Sequence, residues 1–127
     1  MPVAKLTCTT YIKDSAGRIV QTKVATDEPT VVSNGLYKDL PISSTAISLG
    51  TTQLGTGTSF RLFVCNTGLV NILVNWYKDG GTTKYTNTLK PGKFLYLPGL
   101  ELNTSYLPSI ECAAGSTSTA NACLLGI

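Results

Sequence analysis

The chain has 127 residues, of which 43% are hydrophobic and only 13% charged, with ten basic and seven acidic side chains, a net charge of +3 and no histidine. A chain of this length supports one domain core, and without imidazole it excludes Ser-His-Asp and Cys-His catalysis within one chain. The basic residues are scattered singly, which argues against a nucleic-acid surface, and no apolar run reaches bilayer-spanning length.

Residues 5–12 alternate with a period of two, Lys5, Thr7, Thr9 and Tyr11 against Leu6, Cys8, Thr10 and Ile12. That period is the strand signature. Asp14-Ser15-Ala16-Gly17 supplies a turn, and 18–24 returns as a second strand. The same alternation from Met1 to Thr10 replaces the basic stretch and long apolar run of a signal peptide, so the chain is expected to be soluble and made in a reducing cytoplasm. Asp27-Glu28-Pro29 breaks the pattern. Ser33-Asn34-Gly35 reads as a turn, with Leu36, Tyr37 and Leu40 in a loop packed on the core. Residues 44–49 give a short strand, and 50–58, rich in Gly and Thr, an exposed loop.

The second half is more regular. Phe60, Leu62 and Val64 line one face of a strand that ends at Asn66-Thr67-Gly68. Val70, Ile72, Val74 and Trp76 line one face of the next, with Asn71 and Asn75 on the other. Trp76 is expected to anchor the core. Lys78-Asp79-Gly80-Gly81 closes a hairpin onto the Thr-rich segment 82–89, because Asp-Gly accepts positive φ angles. Lys90-Pro91-Gly92-Lys93 has the chemistry of a type II turn. Segments 94–97, 106–112 and 122–125 complete the strands, with Pro98 and Pro108 marking edges or breaks. About eight to ten short strands with turns roughly every ten residues predict an all-β protein. The expected architecture is a two-sheet antiparallel β-sandwich spanning 1–127, jelly-roll or immunoglobulin-like.

No grouping of residues points to chemistry. Cys8, Cys65, Cys112 and Cys123 form no Cys-x-x-Cys pair and read as small buried hydrophobes, a Cys112–Cys123 disulfide being open only in an oxidising setting. Asp14 and Asp79 sit in turns, Asp27-Glu28 beside a proline, and Glu111 should point away from Ile110 and Cys112. These carboxylates do not read as the facing pair a glycosidase needs. Trp76, Tyr77, Tyr85, Phe94 and Tyr96 suit a sugar-binding platform in type, although Trp76 and Phe94 fall on faces that read as core. Asn103-Thr104-Ser105 matches a glycosylation acceptor by chance, and Gly55-x-Gly57 reads as a flexible loop rather than a phosphate cradle. No catalytic, cofactor or metal residue is assigned.

The strings Phe-Arg-Leu-Phe-Val-Cys-Asn-Thr-Gly from Phe60, Val-Asn-Ile-Leu-Val-Asn-Trp from Val70 and Leu-Lys-Pro-Gly-Lys-Phe-Leu-Tyr-Leu-Pro-Gly from Leu89 resemble small β-sandwich structural proteins of tailed bacteriophages. The resemblance covers the C-terminal half and consists of turn chemistry between strands. It implies a capsid decoration or cement protein of a virion, not an enzyme, acting as a homo-oligomer docked on a major capsid or other virion protein. The alternative is a carbohydrate- or receptor-binding module of a tail fibre or cell-surface protein. A small single-stranded RNA phage coat protein is a lesser alternative, since those coats end in helices and 105–127 carries β signals. Low charge density leaves neutral surface of the kind interfaces use. Apolar Leu124, Leu125 and Ile127 and the loop residues Thr52, Leu54 and Thr56 are the expected interface.

Overall fold

The structure, a computed structural model, describes residues 5–27, 33–50, 59–78, 82–102 and 105–126. Its strands are β1 (Leu6–Lys13), β2 (Ile19–Asp27), β3 (Ser33–Ile42), β4 (Ile47–Ser48), β5 (Phe60–Asn66), β6 (Ile72–Tyr77), β7 (Lys84–Leu89), β8 (Phe94–Leu100), β9 (Ser109–Glu111) and β10 (Ser118–Gly126). The protein is all-β, and every pairing among these strands is antiparallel. The chain divides into two compact units, Met1–Val31 and Val32–Ile127. Where the sequence suggested one sandwich over 1–127, all strands of the two larger sheets lie in the second unit.

The first unit is the β1–β2 ribbon. Its turn forms as its composition dictates: Gly17 takes a positive φ of 80° and its amide donates to the Asp14 carbonyl at 3.0 Å. The Asp14 carboxylate accepts from the amides of Ala16 and Arg18 and from the Arg18 guanidinium at 2.9–3.0 Å. Those contacts, the Arg18 amide foremost, hold the Asp14 carboxyl below its ordinary value.

The second unit holds two four-stranded sheets, ordered β3-β10-β5-β8 and β4-β9-β6-β7. Counted within the unit, first strand lies beside last, second beside seventh, third beside sixth and fourth beside fifth. This nested pairing is the jelly-roll arrangement of an eight-stranded double sheet, which decides between the two topologies left open by the sequence. The core draws on both sheets: Ile42, Phe60, Leu62, Val64, Leu100, Ala120, Ala122 and Leu124 from one, Ile72, Val74, Leu89 and Ile110 from the other.

Four segments differ from expectation. Ser33–Ile42 is a strand, not a turn and loop, because pairing with β10 along its length overrides local turn chemistry. The misfit is absorbed by a bulge at Lys38-Asp39, where Asp39 adopts φ 50° and its amide donates to Asn121 Oδ1 at 2.8 Å. The strands at 44–49 and 106–112 shrink to β4 and β9. Segment 122–125 instead lengthens into β10, an inner strand of its sheet.

The Asn-Thr-Gly motif at the end of β5 is a structural knot. Asn66 is fully buried, yet its Nδ2 donates to the carbonyls of Val70 and Leu89, both at 2.8 Å. Its Oδ1 accepts from the Gly68 amide and the Ser118 hydroxyl, both at 3.1 Å. One side chain therefore ties β5 to β7, β10 and the approach to β6, and it meets the requirement that buried polar groups be bonded. Gly68 is needed because a Cβ there would collide with Ser118 Oγ and lie 2.6 Å from the Thr119 nitrogen. The Lys90–Lys93 turn docks on the same residue, with Gly92 at φ 76° donating to the Asn66 carbonyl at 2.9 Å.

Candidate interaction surfaces

Alternation along a strand sends successive side chains to opposite faces, so each sheet's outer face follows from its buried set. In β5, Phe60, Leu62 and Val64 point inward, leaving Arg61, Phe63 and Cys65 outward. Across the sheet, Leu36, Cys123, Phe63 and Tyr96 stand opposite one another in one row. Phe94 stacks on Phe63 with centroids 5.6 Å apart. This face is aromatic and thiol-bearing at its centre, and Leu36 and Phe94 are 74% and 60% exposed. Phe94, expected in the core, belongs here.

The outer face of the other sheet is polar. Asn75 donates to Ser109 Oγ at 3.2 Å and Glu111 Oε1 at 3.3 Å, and accepts from Thr86 Oγ1 at 2.7 Å. Tyr77 and Tyr106 pack beside each other at 5.2 Å. On the inward side of β6, Ile72 and Val74 are buried, while Trp76, only half-buried, packs on the core rim. Its ring stacks on Tyr85 at 4.7 Å and its Nε1 donates to Asn87 Oδ1 at 2.8 Å. The aromatics considered as one sugar platform thus lie on three different surfaces, and Trp76 already spends one face on Tyr85.

The β1–β2 ribbon offers a third surface. The pairs Thr7↔Thr26, Thr9↔Val24 and Tyr11↔Thr22 share a face that carries no charge among them. Tyr11, Ile12, Ile19, Val20 and Val24 are each 51–62% exposed.

Two of the expected interface residues, Leu124 and Leu125, lie among the described residues. Leu124 is fully buried in the core, and Leu125, paired with Arg61, is buried as well. The apolar C-terminal sequence is explained by its place in β10, which leaves neither leucine available to a partner. Ile127, Thr52, Leu54 and Thr56 lie outside the described residues, as do Asp79-Gly80-Gly81, Gly55-x-Gly57 and Asn103-Thr104. All four cysteines are free thiols. Burial raises the pKa of Cys112 and Cys123. Among the described residues no set of three or more Cys, Asp or Glu side chains is gathered to hold a metal. Among the described residues no helix is long and apolar enough to cross a membrane.

Comparison with protein-family models, with curated proteins and with solved structures returned no match.

Proposed function

We propose that the chain is a bacteriophage virion structural protein, a decoration or cement subunit that works through protein–protein contacts rather than catalysis. The observation that carries this reading is the N-terminal ribbon. A two-stranded ribbon is marginal in water on its own pairing, and the uncharged face of this one carries Tyr11 and Val24, each more than half exposed. A surface of that kind is stabilised by being covered, which is the behaviour of an assembly arm. Two further supports are the resemblance carried by Phe60–Leu97 and the jelly-roll topology. The latter recurs in viral capsid and lectin domains, a likeness of fold and not of site.

The test is incorporation. Purified chain added to phage particles grown without it should co-sediment with them. The double variant Tyr11→Lys, Val24→Lys places charge on the uncharged ribbon face and should stay in the supernatant, its sandwich still folded by circular dichroism. A wild-type chain that never sediments with particles removes the reading. A double variant that sediments like the wild type removes the ribbon as the anchor.

A further inference from the structure

Strand register brings two of the four cysteines to one place. Cys65 on β5 and Cys123 on β10 both point outward, because the residues beside them, Val64, Asn66, Ala122 and Leu124, are buried. The two strands are hydrogen-bonded neighbours in which Asn121 faces Cys65 and Cys123 faces Phe63. The thiols therefore stand on one face of adjacent strands, one diagonal step apart. Both are free and partly exposed. Their spacing along the chain gives no sign of the pair; the sheet order alone creates it.

We propose that Cys65 and Cys123 form a two-coordinate site for a soft monovalent cation of the copper(I) class. Reach selects an ion over a direct bond. Diagonal neighbours on an antiparallel pair lie roughly 7–8 Å apart at Cα, whereas a disulfide holds its Cα atoms at about 4.4–6.8 Å. An ion between the sulfurs replaces one S–S bond of about 2.05 Å by two metal–sulfur bonds of about 2.3 Å each. That lengthens the span by roughly 2.5 Å, more than the diagonal demands. The donor set selects the kind of ion. Among the described residues no third Cys, Asp or Glu joins the pair, and the chain has no histidine. Zn²⁺ is left two short of its usual four ligands, and Mg²⁺ and Ca²⁺ find no oxygen set. Thiolate softness favours copper(I). On binding, each thiol releases its proton to solvent and each thiolate donates the electron pair of one metal–sulfur bond, with no change in the metal's oxidation state. Phe63 faces Cys123 and Phe94 faces Cys65, the two rings stacked at 5.6 Å. These apolar surroundings suit a soft ion that sheds its water.

The site is independent of the virion reading and is tested on the purified full chain. A Cys8→Ser background leaves only the buried Cys112 outside the pair. Anaerobic titration of this protein against a chromogenic copper(I) chelator should show a single Cu(I) held per chain, and X-ray absorption should give two sulfur neighbours. Zn²⁺ should be lost on gel filtration. Cys65→Ser and Cys123→Ser, made singly, should each weaken Cu(I) binding by more than the roughly 10–100-fold that loss of a supporting partner costs. Circular dichroism confirms the folds, and Cys65→Ala and Cys123→Ala replace any serine variant that does not fold. A chain that yields all its Cu(I) to the chelator overturns the site. So does binding that is unchanged when either cysteine is replaced, and so does a copper-loaded chain that sediments as a dimer, its ion bridging two copies.

Discussion

Removing the Asn66 side chain should unravel the junction on which several strands converge. Asn66→Ala deletes four buried or half-buried hydrogen bonds, each worth a net of about 0.5–1.5 kcal/mol. Three of the four partners keep another contact: the Gly68 amide also donates to the Thr119 carbonyl, and the Ser118 hydroxyl, whose one proton is shared between Asn66 Oδ1 and the Val70 carbonyl, stays bonded to that carbonyl. The loss therefore falls in the lower half of the sum, about 2–4 kcal/mol, a large share of an ordinary domain stability of roughly 5–15 kcal/mol. For a unit of this size that is a fall in Tm of roughly 10–25 °C. Asn66→Asp sharpens the test. It keeps the acceptor for Gly68 and Ser118 but turns a carboxylate oxygen toward two carbonyls that Nδ2 now meets at 2.8 Å. Burial and those carbonyls would raise the carboxyl's pKa in the folded state above its unfolded value. Stability would then be greatest below the unfolded value of about 4 and lost as pH rises through the folded one. Chemical denaturation at acid and neutral pH measures this against the wild type. An Asp variant no worse at pH 7.5 than at pH 4.5, or an Ala variant within about 0.5 kcal/mol of wild type, would refute the assignment of Asn66 as the tie.

Other outcomes follow from the same geometry. Gly68→Ala should cost about 2–3 kcal/mol, since its Cβ displaces Ser118 and the Thr119 backbone; thermal melts measure it. Tyr96→Phe should be neutral or stabilising by up to about 1 kcal/mol, because it removes a buried hydroxyl that has no hydrogen-bond partner among the described residues. Trp76→Ala should cost roughly 2 kcal/mol, below the figure for a fully buried tryptophan, because the ring is only partly buried. The Asp14 carboxyl is held below its ordinary value of 3.8, so the turn contacts should persist above that value and disappear as pH falls through the depressed one. Amide shifts of Ala16 and Arg18 report that transition by NMR. Native-state alkylation should label the exposed Cys8 quickly and the buried Cys112 only on unfolding.

The sequence disclosed what is local. The period-two run through Phe60, Leu62 and Val64 marks a buried strand face because alternation is imposed by the pleat itself. The Asp14–Gly17 and Lys90–Lys93 turns are legible because Gly17 and Gly92 are needed at positive φ. What depends on distant pairing was hidden. Ser33-Asn34-Gly35 carries turn residues yet lies against β10, some ninety positions away. Leu124 and Leu125 resemble a sticky tail until β10 is seen between β3 and β5. The nested strand order is written in no short segment, since every alternative sandwich would reuse the same alternation. Asn66 was visible as a turn residue, but its four bonds reach partners up to 52 positions away. The β1–β2 ribbon was foreseen as a hairpin, while the exposure of its apolar side chains emerged only from the structure.

The central claim is that this chain is a part of a particle, and counting it there tests that most directly. Quantitative mass spectrometry of purified phage particles should find the chain in fixed proportion to the major shell protein, at a copy number commensurate with the shell's symmetry. Its absence from particles, or a trace amount that varies between preparations, would contradict the account.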